Sequence, residues 1–420
     1  MKNQSQVNGL LEPFRVLDIA GAEALVCGKI LGDLGADVIK VERPGGDRAR
    51  NIGPFYHDIP DPQKSLFWFA FNNNKRGITL DIETLDGQCL FRRLVETADF
   101  VVESFAPGYM DKLGLGYALL SAINPRIIMA SITPFGQSGP YMDYKANDLV
   151  AWAMGGQTYL SGDPDRPPVQ VTFPQAHVNA SAQAAAAVLI AHYRREISGM
   201  GQHVDVSIQE SVTYTLMNAQ QYWDIPKIIL KRSGCYRAGH AQGAMMRTVW
   251  QCRDGYVNLT ILGGTIARLT IMPLVKWMKE QGAADEFLLS VDWANLDTHI
   301  VTQEFFDRIE EPVAKFLLLY TKAELYAEAI KRSFILYPVN SAGEVLADRQ
   351  LAARDFWEHV DHSELGVQIV YPGAFFKSTE ANGGIRFRAP LIGEHNLDIY
   401  EGELGLTPKQ VASMKQANVI

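Results

Sequence analysis

The sequence predicts an α/β protein whose large domain holds a Rossmann-like, doubly wound parallel sheet. Three observations carry that expectation. Phe14–Ile19 and Ala36–Glu42 are apolar, strand-like runs, and Cys27–Leu34 between them has helical character and is closed by Gly35. Strand, helix and strand within about 30 residues make a parallel βαβ unit. Two more apolar runs, Asp99–Phe105 and Ile127–Ile132, follow, the first behind a helical segment at Leu90–Thr97. Finally, residues 176–196 form an alanine-rich helix, and Gln202–Ser207 beyond it reads as another strand.

Each element has a local reason. Seven alanines lie between Val178 and His192, which gives that segment high helix propensity. Arg194 and Arg195 fall in its last turn, where cations suit the negative end of the helix dipole, and Gly199 and Gly201 stop it. His177 stands at its mouth, where free backbone N–H groups favour an anion. Arg43–Arg48 is a loop with basic ends, Asn74–Asp81 leads into a short strand, and Gly136–Pro140 is a loop before Tyr144–Asp148. Ile208–Tyr222 reads as one helix. Val249–Ile261 reads as a hairpin around Arg253-Asp254-Gly255, followed by the glycine loop Leu262–Thr265 and by helices from Ile266 to Arg332 that fill a smaller domain. A polar helix closes the chain.

Bulk properties exclude several classes. Length 420, 47% hydrophobic residues and 20% charged residues are ordinary for a soluble globular protein of two or three domains. A net charge of −8 gives no general case for a nucleic-acid partner. The four cysteines match neither a zinc spacing nor a disulfide framework, so a reducing cytoplasm is expected and no metal. Met1–Leu11 lacks a signal-peptide core, and no apolar run reaches the ~20 residues of a membrane span. No Gly-x-Gly-x-x-Gly follows the first strand, which argues against a nicotinamide enzyme.

A set of ordered segments adds a resemblance. Arg195–Glu210, with Ser198-Gly199, Gly201-Gln202 and Val204-Asp205-Val206-Ser207, resembles the class III CoA-transferase family, the carnitine and formyl-CoA transferase group. So do Arg15–Asp18, Leu34–Glu42, Asn74–Gly77, Val102–Gly108, Asn124–Ile128, Asp254–Val257 and Pro390–His395. The resemblance implies a large Rossmann-like domain built from both chain ends (1–225 and 346–420), a small α+β domain inserted at 226–345, and an interlocked dimer. It implies no permanently bound cofactor, an acyl-CoA and a carboxylic acid as substrates, and CoA contacts from Arg43, Asn74, Ser104, Phe105, Lys112 and Lys145. Arg and Lys at strand ends suit the phosphates of CoA.

The catalytic position departs from the family. Its aspartate falls on His177, and Asp148 stands where formyl-CoA transferase has a supporting glutamate. The family loop after the first strand is altered to Glu23-Ala24-Leu25, and its glycine lid is shortened to Gly263-Gly264. CoA transfer needs a side chain that is acylated on oxygen and then holds CoA at its carbonyl carbon. Imidazole has no such carbon. The leading expectation is therefore a transferase subunit paired with a homologous chain that carries the aspartate, as in heteromeric family members such as the benzylsuccinate transferase, with succinyl-CoA and an aromatic succinate as one candidate pair. The alternatives are an acyl-CoA racemase, isomerase or lyase with His177 as base and Asp148 as its partner, and a non-enzymatic acyl-CoA binding protein.

Overall fold

The structure is a computed structural model that describes residues 9–238, 244–298, 300–381 and 383–420. Residues 1–8 of the N-terminal stretch read above lie outside the described residues. The chain divides into two compact units. One comprises residues 1–157, 171–221 and 349–420; the other comprises 158–170 and 222–348.

The first unit is built on a six-stranded parallel sheet in the order β3-β2-β1-β4-β5-β6. The strands are β1 (Arg15–Asp18), β2 (Asp37–Glu42), β3 (Lys75–Thr79), β4 (Phe100–Glu103), β5 (Ile128–Thr133) and β6 (His203–Ser207). The helices between them in sequence are α1 (Leu25–Asp33), α2 (Leu66–Phe71), α3 (Leu85–Val95), α4 (Tyr109–Lys112), α5 (Tyr117–Ile123), α6 (Asp148–Met154), α7 (Gln157–Leu160), which apart from Gln157 belongs to the second unit, and α8 (Gln175–Ser198). The predicted strands and the alanine-rich helix are present with small shifts at their ends. One expectation is corrected: the single helix over 208–222 is two, α9 (Ile208–Tyr214) and α10 (Met217–Asp224), where the backbone makes turns at Thr215 and Leu216.

Strands buried on both faces explain the near-continuous apolar runs. One face packs Val16, Val38, Phe100, Val102, Ile128 and Ala130 against α1 and α8. The other packs Leu17, Ile39, Ile78, Val101 and Met129 against α3 and the C-terminal segment, including Ile399 and Tyr400. Small residues let α8 approach closely: Ala176, Ala180, Ala184 and Ala185 are all buried. The helix ends where Gly199 takes φ 74°, a conformation that costs glycine little. Arg195 does more than face the helix dipole. It is fully buried, its Nη1 donates to the carbonyls of Asp99 and Arg126, and its Nη2 lies 3.2 Å from the Asp99 carboxylate.

The second unit has its own core. Strands β7 (Tyr236–Ala238) and β8 (Met245–Arg247) form one ribbon; β9 (Val249–Cys252), β10 (Gly255–Asn258) and β11 (Tyr337–Val339) form an antiparallel sheet. Four helices, α11 (Ile271–Glu280), α12 (Glu286–Ser290), α13 (Gln303–Leu317) and α14 (Lys322–Arg332), supply Leu274, Leu288, Phe306, Phe316 and Leu325 to that core. After α15 (Ala342–Leu346) the chain returns to the first unit, where α16 (Arg349–Ala353) is followed by the hairpin β12 (Trp357–His362) and β13 (Val367–Pro372), and it ends with α17 (Pro408–Gln416), the expected polar helix.

Gly28 is required by packing. A Cβ there would stand 2.2 Å from Asp18 Oδ2 and 3.3 Å from Lys75 Nζ. Gly28→Ala is expected to destabilise the protein by about 1–3 kcal/mol, despite the better helix propensity of alanine. Urea unfolding checks this; an unchanged midpoint would contradict it.

Candidate active site

In an open parallel sheet the crevice opens where neighbouring strands send their connections to opposite sides, beyond the carboxyl ends. Here β1 lies between β2 and β4, and those three strand ends wall a cavity of about 430 Å³. Ile19, Gly21, Ala22 and Glu23 come from the turn after β1, Arg43–Arg48 (in part) from the loop after β2, and Ser104, Phe105 and Tyr109 from beyond β4. The rings of Phe105 and Tyr109 lie 4.8 Å apart.

Polar groups organise this mouth. Ser104 Oγ accepts from Gly21 N (2.8 Å) and donates to Glu23 Oε1 (2.7 Å), which ties the β1–α1 turn to the end of β4. Arg43 is paired with Glu83 at 2.5 Å, and Tyr109 Oη donates to the same carboxylate at 2.6 Å. The two bonds pull the Glu83 carboxyl below its usual pKa. Arg48, at the rim, is exposed and has no acidic partner among the described residues.

Beneath the mouth lies a buried ionic network. Lys75 Nζ is 2.7 Å from Asp18 Oδ2 and also donates to Leu25 O and Asn72 Oδ1. Lys40 lies 3.6 Å from both Asp18 and Asp47 and donates to Ala20 O. Glu42 takes two bonds from Arg50, whose guanidinium stacks on Trp68 at 3.8 Å. Burial raises the Asp18 pKa, but Lys75 and Lys40 outweigh it and the net shift is down; burial drives Lys75 down as well. Every charge of this network thus has a counter-charge, which is what makes its burial tolerable.

The implied site residues divide. Arg43, Ser104 and Phe105 line the cavity. Asn74 does not line it. It is fully buried at φ 62°, donates to Asp33 Oδ1 and Gly384 O, and accepts from the N–H groups of Arg386 and Phe387. Its amide is spent clamping the C-terminal segment to the sheet. Lys112, at the end of α4, and Lys145, before α6, are exposed and do not line the cavity.

His177 is the third residue of α8, but the open anion site expected at that helix end is filled by the chain itself. Asp148 Oδ1 accepts from His177 N at 3.0 Å and stands 4.0 Å from Nδ1. Burial lowers the His177 pKa, and the charges of Asp148 and Glu23 partly oppose that. The net direction favours the neutral ring. Ser181, one turn further along α8, donates to Glu23 O at 3.5 Å, so the β1–α1 turn lies against the helix that carries His177. Sequence reasoning noted Glu23 only as a departure and missed Tyr109, Glu83 and the ionic network. The signals for the network were charges inside apolar runs: Asp18 after Val16-Leu17, and Lys40 between Ile39 and Val41.

A family model, "CoA-transferase family III", matches residues 11–396. The chain belongs to that family. It is 36% identical over 92% of its length to 92% of the succinyl-CoA:(R)-benzylsuccinate CoA-transferase subunit BbsE of Thauera aromatica. It is 31% identical to the succinyl-CoA–D-citramalate CoA-transferase of Chloroflexus aurantiacus, with 98% of each chain covered. A solved CAIB/BAIF family protein from Brucella suis superposes with a TM-score of 0.79 at 29% identity, covering 94% of this chain and 99% of that one. Among the described residues no group of three or more His, Cys, Asp or Glu side chains is placed to hold a metal, and no helix is long and apolar enough to cross a membrane.

Proposed function

We propose that this chain is a subunit of a CoA-transferase exchanging CoA between an acyl-CoA and a carboxylic acid, paired with a homologous subunit that carries the family aspartate. The imidazole at position 177 carries the reading. The family cycle stores CoA as a thioester on a side-chain carbonyl, and His177 has none. The similarity to a relative that is itself named a subunit, and to a succinyl-CoA–L-malate CoA-transferase beta subunit, supports a paired assembly. A partner also has a surface to cover: Ile190, Tyr193 and Ile197 form a stripe on α8 that is 62–71% exposed. In the interlocked arrangement of the family, a second chain would bury such a stripe. The relatives that use succinyl-CoA make it the first donor to try, with an aromatic succinate as first acceptor.

CoA is held at the carboxyl ends of β1, β2 and β4 in this reading. Arg43 and Arg48 meet phosphate, and the Phe105–Tyr109 pair offers an aromatic wall. Arg43 must first exchange Glu83 for the ligand, and an exposed pair gives up little in doing so.

Two measurements test it. Purification from the native source should yield a complex with a homologous chain of similar size; a complex containing this chain alone overturns the pairing. His177→Asp is expected to create, on incubation with succinyl-CoA, a hydroxylamine-sensitive CoA adduct at position 177 that the wild type lacks there. An adduct on His177 itself that carries CoA as a thioester would contradict the chemistry.

A further inference from the structure

Position 177 lacks a carboxylate, yet the cavity is not without one. Four acidic side chains line it: Glu23, Glu42, Asp47 and Glu83. Glu42 is held by Arg50 through two bonds, Asp47 caps the turn after β2 and faces Lys40, and Glu83 is held by Arg43 and Tyr109. Glu103, just below, is buried and bonded to Phe105 N. Asp148 is engaged by the backbone of α8. Glu23 differs from all of these. No Lys or Arg among the described residues pairs with it. Its Oε1 takes one hydrogen bond, from Ser104, and no described residue donates to Oε2. Its backbone accepts from Ser181, one turn from His177, and its charge acts on the His177 ring, although His177 itself does not line the cavity.

We propose that Glu23 is a nucleophilic carboxylate of this chain: it is acylated by the CoA thioester and then carries CoA, in place of the side chain absent at position 177. The inference rests on reading this cavity as a CoA site, and it adds a second nucleophile to whatever a partner subunit contributes. The atoms balance without a co-reactant. Oε2 attacks the acyl carbon of the thioester, the carbon–sulfur bond breaks, and CoA leaves as thiolate. The thiolate attacks Cδ of the resulting anhydride, and the first acid departs as a carboxylate with the bridging oxygen. Glu23 then holds CoA as a thioester. An acceptor carboxylate attacks Cδ, CoA leaves again, and thiolate attack on the acceptor's acyl carbon restores the Glu23 carboxylate. The surroundings suit each stage. Ser104 donates to Oε1, the atom that becomes the carbonyl oxygen of the thioester, and the Ser104 hydroxyl is oriented by accepting from Gly21 N. The absence of a cation on Glu23 leaves its lone pairs available for attack.

The test uses the full chain, with any subunit that co-purifies, incubated with succinyl-CoA. One portion is reduced with borohydride, which converts a side-chain thioester to a primary alcohol, and the peptide spanning residue 23 is sequenced by mass spectrometry. The expected result is the alcohol at residue 23 in the wild type and its loss in Glu23→Gln, which preserves the Ser104 bond and hence the turn. A Ser104→Ala chain should show slower marking at the same residue. CoA binding to the wild type is measured in parallel by calorimetry. CoA that binds while residue 23 stays unmarked overturns the nucleophile and leaves the transferase reading standing. Failure to bind CoA overturns both. Marking that survives in Glu23→Gln, at another residue of this chain, also overturns the assignment.

Discussion

Replacing Asp18 by Asn is expected to cost about 3–5 kcal/mol of stability at neutral pH, the range for removing one partner of a buried ion pair. Asp18 and Lys75 are both fully buried and 2.7 Å apart, and Lys40 stands 3.6 Å from the same carboxylate. The amide would leave Lys75 without a counter-ion and two lysines sharing one pocket. The deficit has a direction with pH. Burial already holds the Lys75 pKa below that of an ordinary lysine, so its folded form sheds a proton more readily than the unfolded chain. A depressed lysine destabilises most where it must stay charged, so the loss in Asp18→Asn should shrink as pH rises through the depressed value. Urea unfolding at neutral and alkaline pH checks both parts. A variant as stable as the wild type, or a deficit that grows with pH, would show that the network does not hold the strand ends together as described.

Replacing Glu103 by Gln is expected to do the opposite and stabilise the protein above neutrality. Burial, the largest effect, together with the charges of Glu23 and Asp111, pushes the Glu103 carboxyl up to about 7 against the pull of Ser131 and of Phe105 N. The folded state therefore keeps a proton that the unfolded chain has lost between an ordinary 4.5 and about 7. The stability this proton contributes is complete below the ordinary value and is lost as pH rises through about 7. A shift of that size corresponds to at most about 3 kcal/mol at high pH. Glutamine mimics the neutral acid, accepts from Phe105 N and cannot ionise. Its thermal midpoint should exceed that of the wild type at pH near 8 and converge with it near pH 5. Equal midpoints at both values would mean the carboxyl is not buried as the structure has it.

Much of the site was legible before the fold. Apolar runs closed by glycine identify the βαβ unit, and the rule for parallel sheets then directs a ligand to the strand ends, where Arg43, Ser104 and Phe105 line a cavity. The resemblance implies a CoA contact at Asn74; in the fold its amide closes bonds to Gly384, Arg386 and Phe387, more than three hundred positions away, and no local pattern reports such partners. In the sequence Glu23 is legible as a substitution in the family loop, but not as a carboxylate with an open face. That property depends on which cations surround it, and cations arrive from β2, β3 and the loops between.

The sequence by itself determined the α/β class, the strand–helix alternation, the breadth of the family resemblance and the chemical fact that position 177 offers no acyl carbon. These rest on local periodicity, turn residues and side-chain valence, and each is readable within a short window. Only the tertiary structure decided which acids in the crevice are neutralised and which is not, and that Asp148 occupies the helix end where an outside anion was expected. Those outcomes depend on charges brought together from distant strands in a low-dielectric interior, where a few ångströms set whether a carboxylate is bound, neutral or free to react.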